Sequence, residues 1–313
     1  MQPTAMQVIA IFGPTGVGKT EVTVALARLL RAEGEDPVAV SADALQVYRG
    51  LEVLSGVATA AEQQALEHRL ISFLPVSESF SAGRFAQLAH AEIDELLAEG
   101  RRPIVIGGTG LYLRAALTDL DLRPPPPEGV RERRMEQLHR EGPAALHAEL
   151  SLAAPWAAQE IDPGDRQRLV RALELLDAGQ LHPRGDPSQL WTSEMRRPTL
   201  LVGLTMPREL LYARIEARVD AMVAAGAREE AVVAQDAGAS GTARKALGFQ
   251  ELIDGDIDAM KQRTRNYAKR QLTWMRKLAG AHLVDVGTRH PSEVAAEIAG
   301  LLAPQSARPR AET

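Results

Sequence analysis

Val8-Ile9-Ala10-Ile11-Phe12-Gly13-Pro14-Thr15-Gly16-Val17-Gly18-Lys19-Thr20 decides the fold. The first five residues are apolar and rich in β-branched side chains, which predicts a short buried strand. The next eight fit the P-loop pattern GxxxxGK[ST] in full, and the amphipathic stretch from Lys19 to about Arg31 predicts a helix directly after them. Strand, glycine loop and helix in that order form a phosphate cradle. Backbone N–H groups wrap an anion at a helix N-terminus, Lys19 adds a point charge, and the Thr20 hydroxyl can ligate Mg²⁺.

The same grammar recurs downstream. PVAVSAD (37–43) and PIVIGGTG (103–110) read as buried strands ending in polar or glycine residues, with helical segments between them. This alternation predicts an α/β, P-loop NTPase-like parallel sheet flanked by helices. It spans residues 1–122 as the first part of a core. The proline run Arg123-Pro124-Pro125-Pro126-Pro127 breaks the pattern, because consecutive prolines continue neither a helix nor a ladder. From Val130 to about Gly179 only helical signals follow, then a loop at 182–188, so residues 123–197 are expected to form an all-helical insertion. The core resumes over 198–302 with strands at 199–206 and 282–287 and helices from about Glu209 to Asp236 and from Thr264 to Ala279. Residues 303–313 lack apolar periodicity and are expected to be a disordered tail.

With 313 residues and 45% hydrophobic content the chain can bury a large core. The absence of cysteine excludes disulfides, thiolate metal sites and a cysteine nucleophile. Neither a leader-like N-terminus nor an apolar run of membrane-spanning length occurs, so the expected location is cytoplasmic, away from membranes. The net charge is −5, yet Lys261 to Lys277 carries seven Lys/Arg and no Asp/Glu. Binding of a polyanion depends on such local fields, not on their sum.

A P-loop serves ATP-binding and GTP-binding enzymes and small-molecule kinases alike, so other residues must choose the reaction. Five marks stand in order, the P-loop among them: GPTGVGKT, SADALQVYRG (41–50), GGTGLYL (107–113), RLVRALE (168–174) and TRNYAKRQLTWMR (264–276). Together they resemble the bacterial tRNA dimethylallyltransferase family across nearly the whole chain. Two departures stand out: Leu54-Ser55-Gly56-Val57-Ala58-Thr59 replaces the usual GTAKP stretch, and a customary His-His pair reads His68-Arg69.

The resemblance implies a catalytic set of Asp43, Thr109 and Lys19. Asp43 would be the base that engages the acceptor amine, with Thr109 beside it. By position alone Asp43 suits a helix N-cap or a magnesium ligand as well, and Thr109 suits an ordinary turn. The resemblance also implies Mg²⁺ as cofactor, dimethylallyl diphosphate and a tRNA anticodon loop as substrates, and a monomer. Arg218, with Arg214 one turn before it, is the expected additional contact to the diphosphate. The expected tRNA contacts are Asp43, Ala44, Leu45, Gln46, Thr109, Arg131, Gln167, Arg168, Leu169, Val170, Arg171, Arg265 and Arg270, with Gln46 reading a base edge. Ala268, Leu272, Met275 and Ala279 form an apolar stripe, while Arg263, Tyr267, Arg270 and Trp274 interleave cations with aromatics as single-stranded RNA binding requires. Trp274 suits the core equally well. The competing readings are a small-molecule kinase, a non-catalytic tRNA-binding protein and a prenyltransferase acting on free adenine nucleotides.

Overall fold

The structure is a computed structural model that describes residues 6–123, 127, 129–183 and 192–302. The middle of the proline run, most of the expected 182–188 loop and the expected 303–313 tail lie outside the described residues. By internal contacts the chain divides into two units, Met1–Leu120 with Leu190–Thr313, and Asp121–Gln189.

The first unit begins with β1 (Val8–Phe12), α1 (Lys19–Ala32) and β2 (Pro37–Ser41). A small excursion follows: β3 (Tyr48–Arg49), α2 (Glu52–Ser55), α3 (Ala60–Ala65), β4 (His68–Arg69) and β5 (Leu74–Pro75). Then come α4 (Ala82–Ala98), β6 (Arg102–Gly107) and α5 (Gly110–Leu117). The main sheet runs β4-β2-β6-β1 and is extended by two later strands, and every pairing in it is parallel. β3 and β5 form a separate two-stranded parallel ribbon.

In the second unit, α6 (Val130–Ala153), α7 (Pro155–Glu160) and α8 (Arg166–Asp177) pack on their own core of Leu146, Leu150, Leu169 and Leu173. α6 is two helical pieces: Gly142, at φ 80° and ψ 169°, leaves helical space just before Pro143.

The first unit resumes with β7 (Thr199–Thr205), α9 (Arg208–Ala224), α10 (Ala227–Asp236), α11 (Phe249–Asp254), α12 (Ile257–Met275), β8 (His282–Asp285) and α13 (Pro291–Leu302). The stretch expected to be helical from Glu209 to Asp236 is broken at Gly226, whose φ of 95° opens α10. The C-terminal helix begins at Ile257 instead of Thr264, because the Asp256 carboxylate caps it by accepting the Ala259 N–H at 2.9 Å. It ends at Met275, so Ala279 lies beyond the helix and is exposed, and Leu278 supplies the buried contact instead.

β1 has no exposed residue because it is the central strand, covered on both faces. Ile9 and Ile11 join Val22, Leu26 and Leu30 of α1 and Val294 and Ile298 of α13 in one cluster. Each such side chain contributes about 1.5–3 kcal/mol on full burial. The consequence for function is directional. In a parallel sheet all strands deliver their following loops to the same carboxyl edge, which is where ligands bind.

Candidate active site

One cavity of about 720 Å³ opens at that edge, walled by the loops after β1, β2 and β6 together with α9 and α12. Gly16 at φ 84° and Gly18 at φ 98° turn the loop after β1 through the left-handed region, where a side chain would be strained. The turn leaves the first amides of α1 without intrahelical carbonyls. Lys19 folds back so that its Nζ donates to the carbonyls of Gly13 at 2.9 Å and Pro14 at 3.1 Å. Burial, reinforced by the positive charge of Arg218, lowers its pKa to about 8, against the opposing pull of Asp43 and Glu21. Thr20 lines the same wall.

Asp43 follows the end of β2 and lines this cavity together with Lys19. Its Oδ1 accepts the Leu45 N–H at 2.9 Å. Burial raises its pKa, with the Leu45 N–H and Lys19 acting in the opposite sense. Ala44 and Leu45 line the cavity as well. Gln46 Oε1 accepts from Ser41 Oγ at 2.8 Å and its Nε2 donates to the Gly56 carbonyl at 3.0 Å, so both ends of the carboxamide are engaged within the protein. It holds the far wall together and lines the cavity as well.

That wall is α2. Glu230 of α10 accepts the Val53 N–H at 3.0 Å and the Leu54 N–H at 2.9 Å, fixing the N-terminal end of α2, while Gln46 holds its C-terminal end. Gly56 follows, and Arg218 of α9 lies against it so closely that a Cβ on Gly56 would fall 1.7 Å from Nη2. Among the described residues Arg218 Nε is buried with no hydrogen-bond partner, and burial lowers the pKa of the guanidinium. Arg214 lines the cavity too and donates to the Val17 carbonyl at 3.4 Å. Leu54, Val219, Met222, Leu247 and Met260 add an apolar side, which the sequence analysis missed because its residues come from separate elements. His68, the retained member of the expected histidine pair, also lines the cavity; its Nδ1 meets the Leu66 carbonyl at 2.7 Å, and burial lowers its pKa.

α12 closes the remaining side. Thr109, at the N-terminus of α5, makes no side-chain cap and instead shares a 2.9 Å hydrogen bond with Tyr267 Oη. Arg270 stacks over the Tyr267 ring at 5.5 Å. Trp274 packs on Gly110, where a Cβ would lie 2.0 Å from the indole. Gln271, quoted within a motif but given no role by the sequence, is 4% exposed, accepts the Thr15 N–H at 2.9 Å and donates to the Gly108 carbonyl at 2.7 Å. Arg265 pairs with Glu216 at 2.6 Å and does not line the cavity.

In the second unit Arg131 and Arg171 both pair with the fully buried Glu174, at 3.0 Å and 3.2 Å. Gln167 and Arg168 are exposed on the first turn of α8. Leu169 and Val170, expected among the tRNA contacts, correct that expectation: their side chains are buried in the core of this unit because α8 turns its apolar face there. Within this run the exposed side chains are those of Gln167 and Arg168.

A family model described as IPP transferase matches residues 46–278. The chain belongs to the IPP transferase family. Among curated relatives, the tRNA dimethylallyltransferase of Geobacillus kaustophilus is 39% identical over 287 residues, covering 87% of this chain and 88% of the relative. That of Kineococcus radiotolerans is 40% identical over 289 residues, covering 88% and 89%. The crystal structure of the full-length tRNA isopentenylpyrophosphate transferase from Bacillus halodurans superposes with a TM-score of 0.65 at 35% identity, covering 94% of this chain and 96% of that one. A eukaryotic dimethylallyltransferase crystallised acting on tRNA, at 23% identity and a TM-score of 0.71 over 94% of this chain and 79% of its own, shares the fold. Family membership agrees with the α/β parallel sheet and with transferase chemistry on tRNA.

Among the described residues no helix is long and apolar enough to cross a membrane. Nor do three or more His, Asp or Glu side chains gather as a metal cage. Mg²⁺ fits the cradle in a different way, since it keeps several waters and is bound by one or two protein oxygens plus phosphate oxygens. Thr20, which lines the cavity, would supply the hydroxyl for such a site.

Proposed function

We propose that this chain transfers a dimethylallyl group from dimethylallyl diphosphate to the exocyclic amine of the adenosine 3′ to the anticodon of a tRNA, releasing diphosphate. The observation that carries the reading is the meeting of Asp43 and Lys19 in one cavity that has a cationic side and an apolar side. A prenyl diphosphate has the same two-part chemistry.

In this reading the α1 N-terminus, Lys19 and Arg218 bind the diphosphate, and Leu54, Met222 and Met260 shelter the hydrocarbon. Mg²⁺, held by Thr20 and phosphate oxygens, would neutralise charge on the leaving group. The adenine amine is a weak nucleophile because its lone pair is delocalised into the ring. As its nitrogen bonds to the allylic carbon, the carbon–oxygen bond breaks and its electron pair leaves with diphosphate. Asp43 accepts the proton released by the amine, a task helped by a carboxyl pKa raised by burial. Donors aimed at the developing negative charge stabilise the transition state. Arg131, Gln167, Arg168 and Arg171 supply tRNA contacts from the second unit, and Arg270, stacked on Tyr267, supplies one from α12.

The test is incubation with labelled dimethylallyl diphosphate, Mg²⁺ and a tRNA with an adenosine-rich anticodon loop, without ATP. Label is expected in a prenylated adenosine. Phosphoryl transfer from ATP with no prenyl transfer would replace this reading with a kinase. Prenylation of AMP in preference to tRNA would replace the acceptor.

A further inference from the structure

We propose that Gln271 is a positioning residue for the transfer, bridging the phosphate loop to the Gly108-Thr109 loop so that the diphosphate side and the acceptor side hold one separation. The proposal rests on the function proposed above. β1 and β6 are paired in register as far as Phe12 and Gly107. Beyond those residues the ladder ends, and the two loops that carry the chemistry need another constraint.

Gln271 provides it from α12. Its planar carboxamide places an acceptor and a donor on one rigid group. Oε1 takes the Thr15 N–H at 2.9 Å and Nε2 gives to the Gly108 carbonyl at 2.7 Å. Both bonds span long stretches of chain, and the side chain is buried, so water does not substitute for either partner. Gly108 is shaped to the bridge: a Cβ there would lie 2.3 Å from Nε2. The Thr15 amide is thereby turned toward Gln271, and the anion is left to the first-turn amides of α1 and Lys19. One helical turn earlier Tyr267 bonds Thr109, so α12 grips the acceptor-side loop at two successive residues. A displacement of about 1 Å between reacting groups can cost a factor of 100 in rate. A link that fixes two loops in a buried site therefore acts on turnover more than on folding.

The test compares Gln271→Leu, Gln271→Asn and Gln271→Glu in the full chain. Measured are kcat, KM for the prenyl diphosphate, Kd for inorganic diphosphate, Kd for tRNA, and Tm. In the Leu and Asn variants kcat is expected to fall by about 10–100-fold and diphosphate binding to weaken severalfold, with tRNA binding within about twofold. Asn fails because it is one methylene too short to span both loops. The Glu variant sets an oxygen against the Gly108 carbonyl when ionised and restores a donor when protonated. Its activity relative to wild type is therefore expected to rise as pH falls, a signature that a purely structural defect lacks. An Asn variant with wild-type kcat and diphosphate affinity overturns the proposal, as does a Glu variant whose deficit is independent of pH. If the Leu variant does not fold, the Asn and Glu variants decide. A wild-type chain that binds diphosphate but prenylates no tRNA refutes the proposed function instead, and the diphosphate measurements still judge the bridge.

Discussion

Tyr267 Oη and Thr109 Oγ1 meet at 2.9 Å although 158 residues separate them in the chain. Burial, and next to it the negative charge of Asp43, raises the Tyr267 pKa to about 12. The phenol stays protonated at neutral pH and keeps its donor. Tyr267→Phe leaves the Thr109 hydroxyl without this partner, a loss of about 0.5–1.5 kcal/mol for a neutral hydrogen bond, or roughly 2–12-fold in kcat/KM. A double-mutant cycle with Thr109→Ala checks it: the combined variant is expected to lose no more than the worse single variant, and additive losses would separate the two residues.

Asp43 links activity to stability with a definite sign. Because burial raises its carboxyl pKa, the folded protein binds that proton more readily than the unfolded chain. Stability contributed by this group therefore falls as pH rises from about 4, the ordinary carboxylate value, through the raised one. Asp43→Asn removes the cost and keeps an oxygen for the Leu45 N–H. The variant is expected to melt higher than wild type at neutral pH, with the gain shrinking on acidification, while turnover drops about 100-fold or more and tRNA binding persists. Melting curves across pH, beside single-turnover assays, measure both.

How much of this could be read in advance depends on the range of the physics. β1 was legible because five apolar residues before a glycine loop carry their own signal, and Lys19 and Thr20 because they close a loop pattern that a strand precedes, whereas Asp43 was singled out by the family resemblance, its position alone suiting an N-cap or a magnesium ligand as well. The bonds of Gln46 to Ser41 and Gly56 were not legible, because sequence gives residue type and not partner: they exist only once α2 is folded beside β2. Glu230 and Gln271 escaped for the same reason, since each bonds backbone far away in the chain. Leu169 and Val170 were placed at an interface because a motif was read as a linear string, whereas an α-helix turns by about 100° per residue and sends neighbours in such a string to different faces.

Lys19 makes donor binding sensitive to alkaline pH. Its pKa, lowered to about 8, means the charge that grips an anion is lost as pH rises through that value. Inorganic diphosphate is expected to bind with little loss below pH about 7, then to weaken by up to about tenfold per pH unit above 8, with proton uptake on binding near pH 8. Calorimetry in two buffers of different ionisation enthalpy measures the uptake. Lys19→Met is expected to bind more weakly throughout and to lose this step. An unchanged pH profile in that variant would assign the titration to another group.

Gly56 tests the placement of Arg218 most sharply, because an internal control exists. Gly56 sits at φ 64°, and a Cβ there would lie 1.7 Å from Arg218 Nη2 and 3.2 Å from Met222 Cε. Gly50 has a comparable φ of 87° with nothing within 4 Å. Alanine at either position incurs a similar left-handed backbone strain of about 1–2 kcal/mol, but only Gly56→Ala displaces the guanidinium. Gly56→Ala is therefore expected to weaken inorganic diphosphate binding by about tenfold, the scale of one charge-assisted hydrogen bond, and to raise KM for the prenyl donor. Gly50→Ala is expected to lower Tm alone. Arg218→Lys should bind diphosphate no better than Gly56→Ala, since an ammonium lacks the planar fork. Equal diphosphate affinities in the two alanine variants would remove Arg218 from the anion site and leave Lys19 and the α1 amides to hold the leaving group.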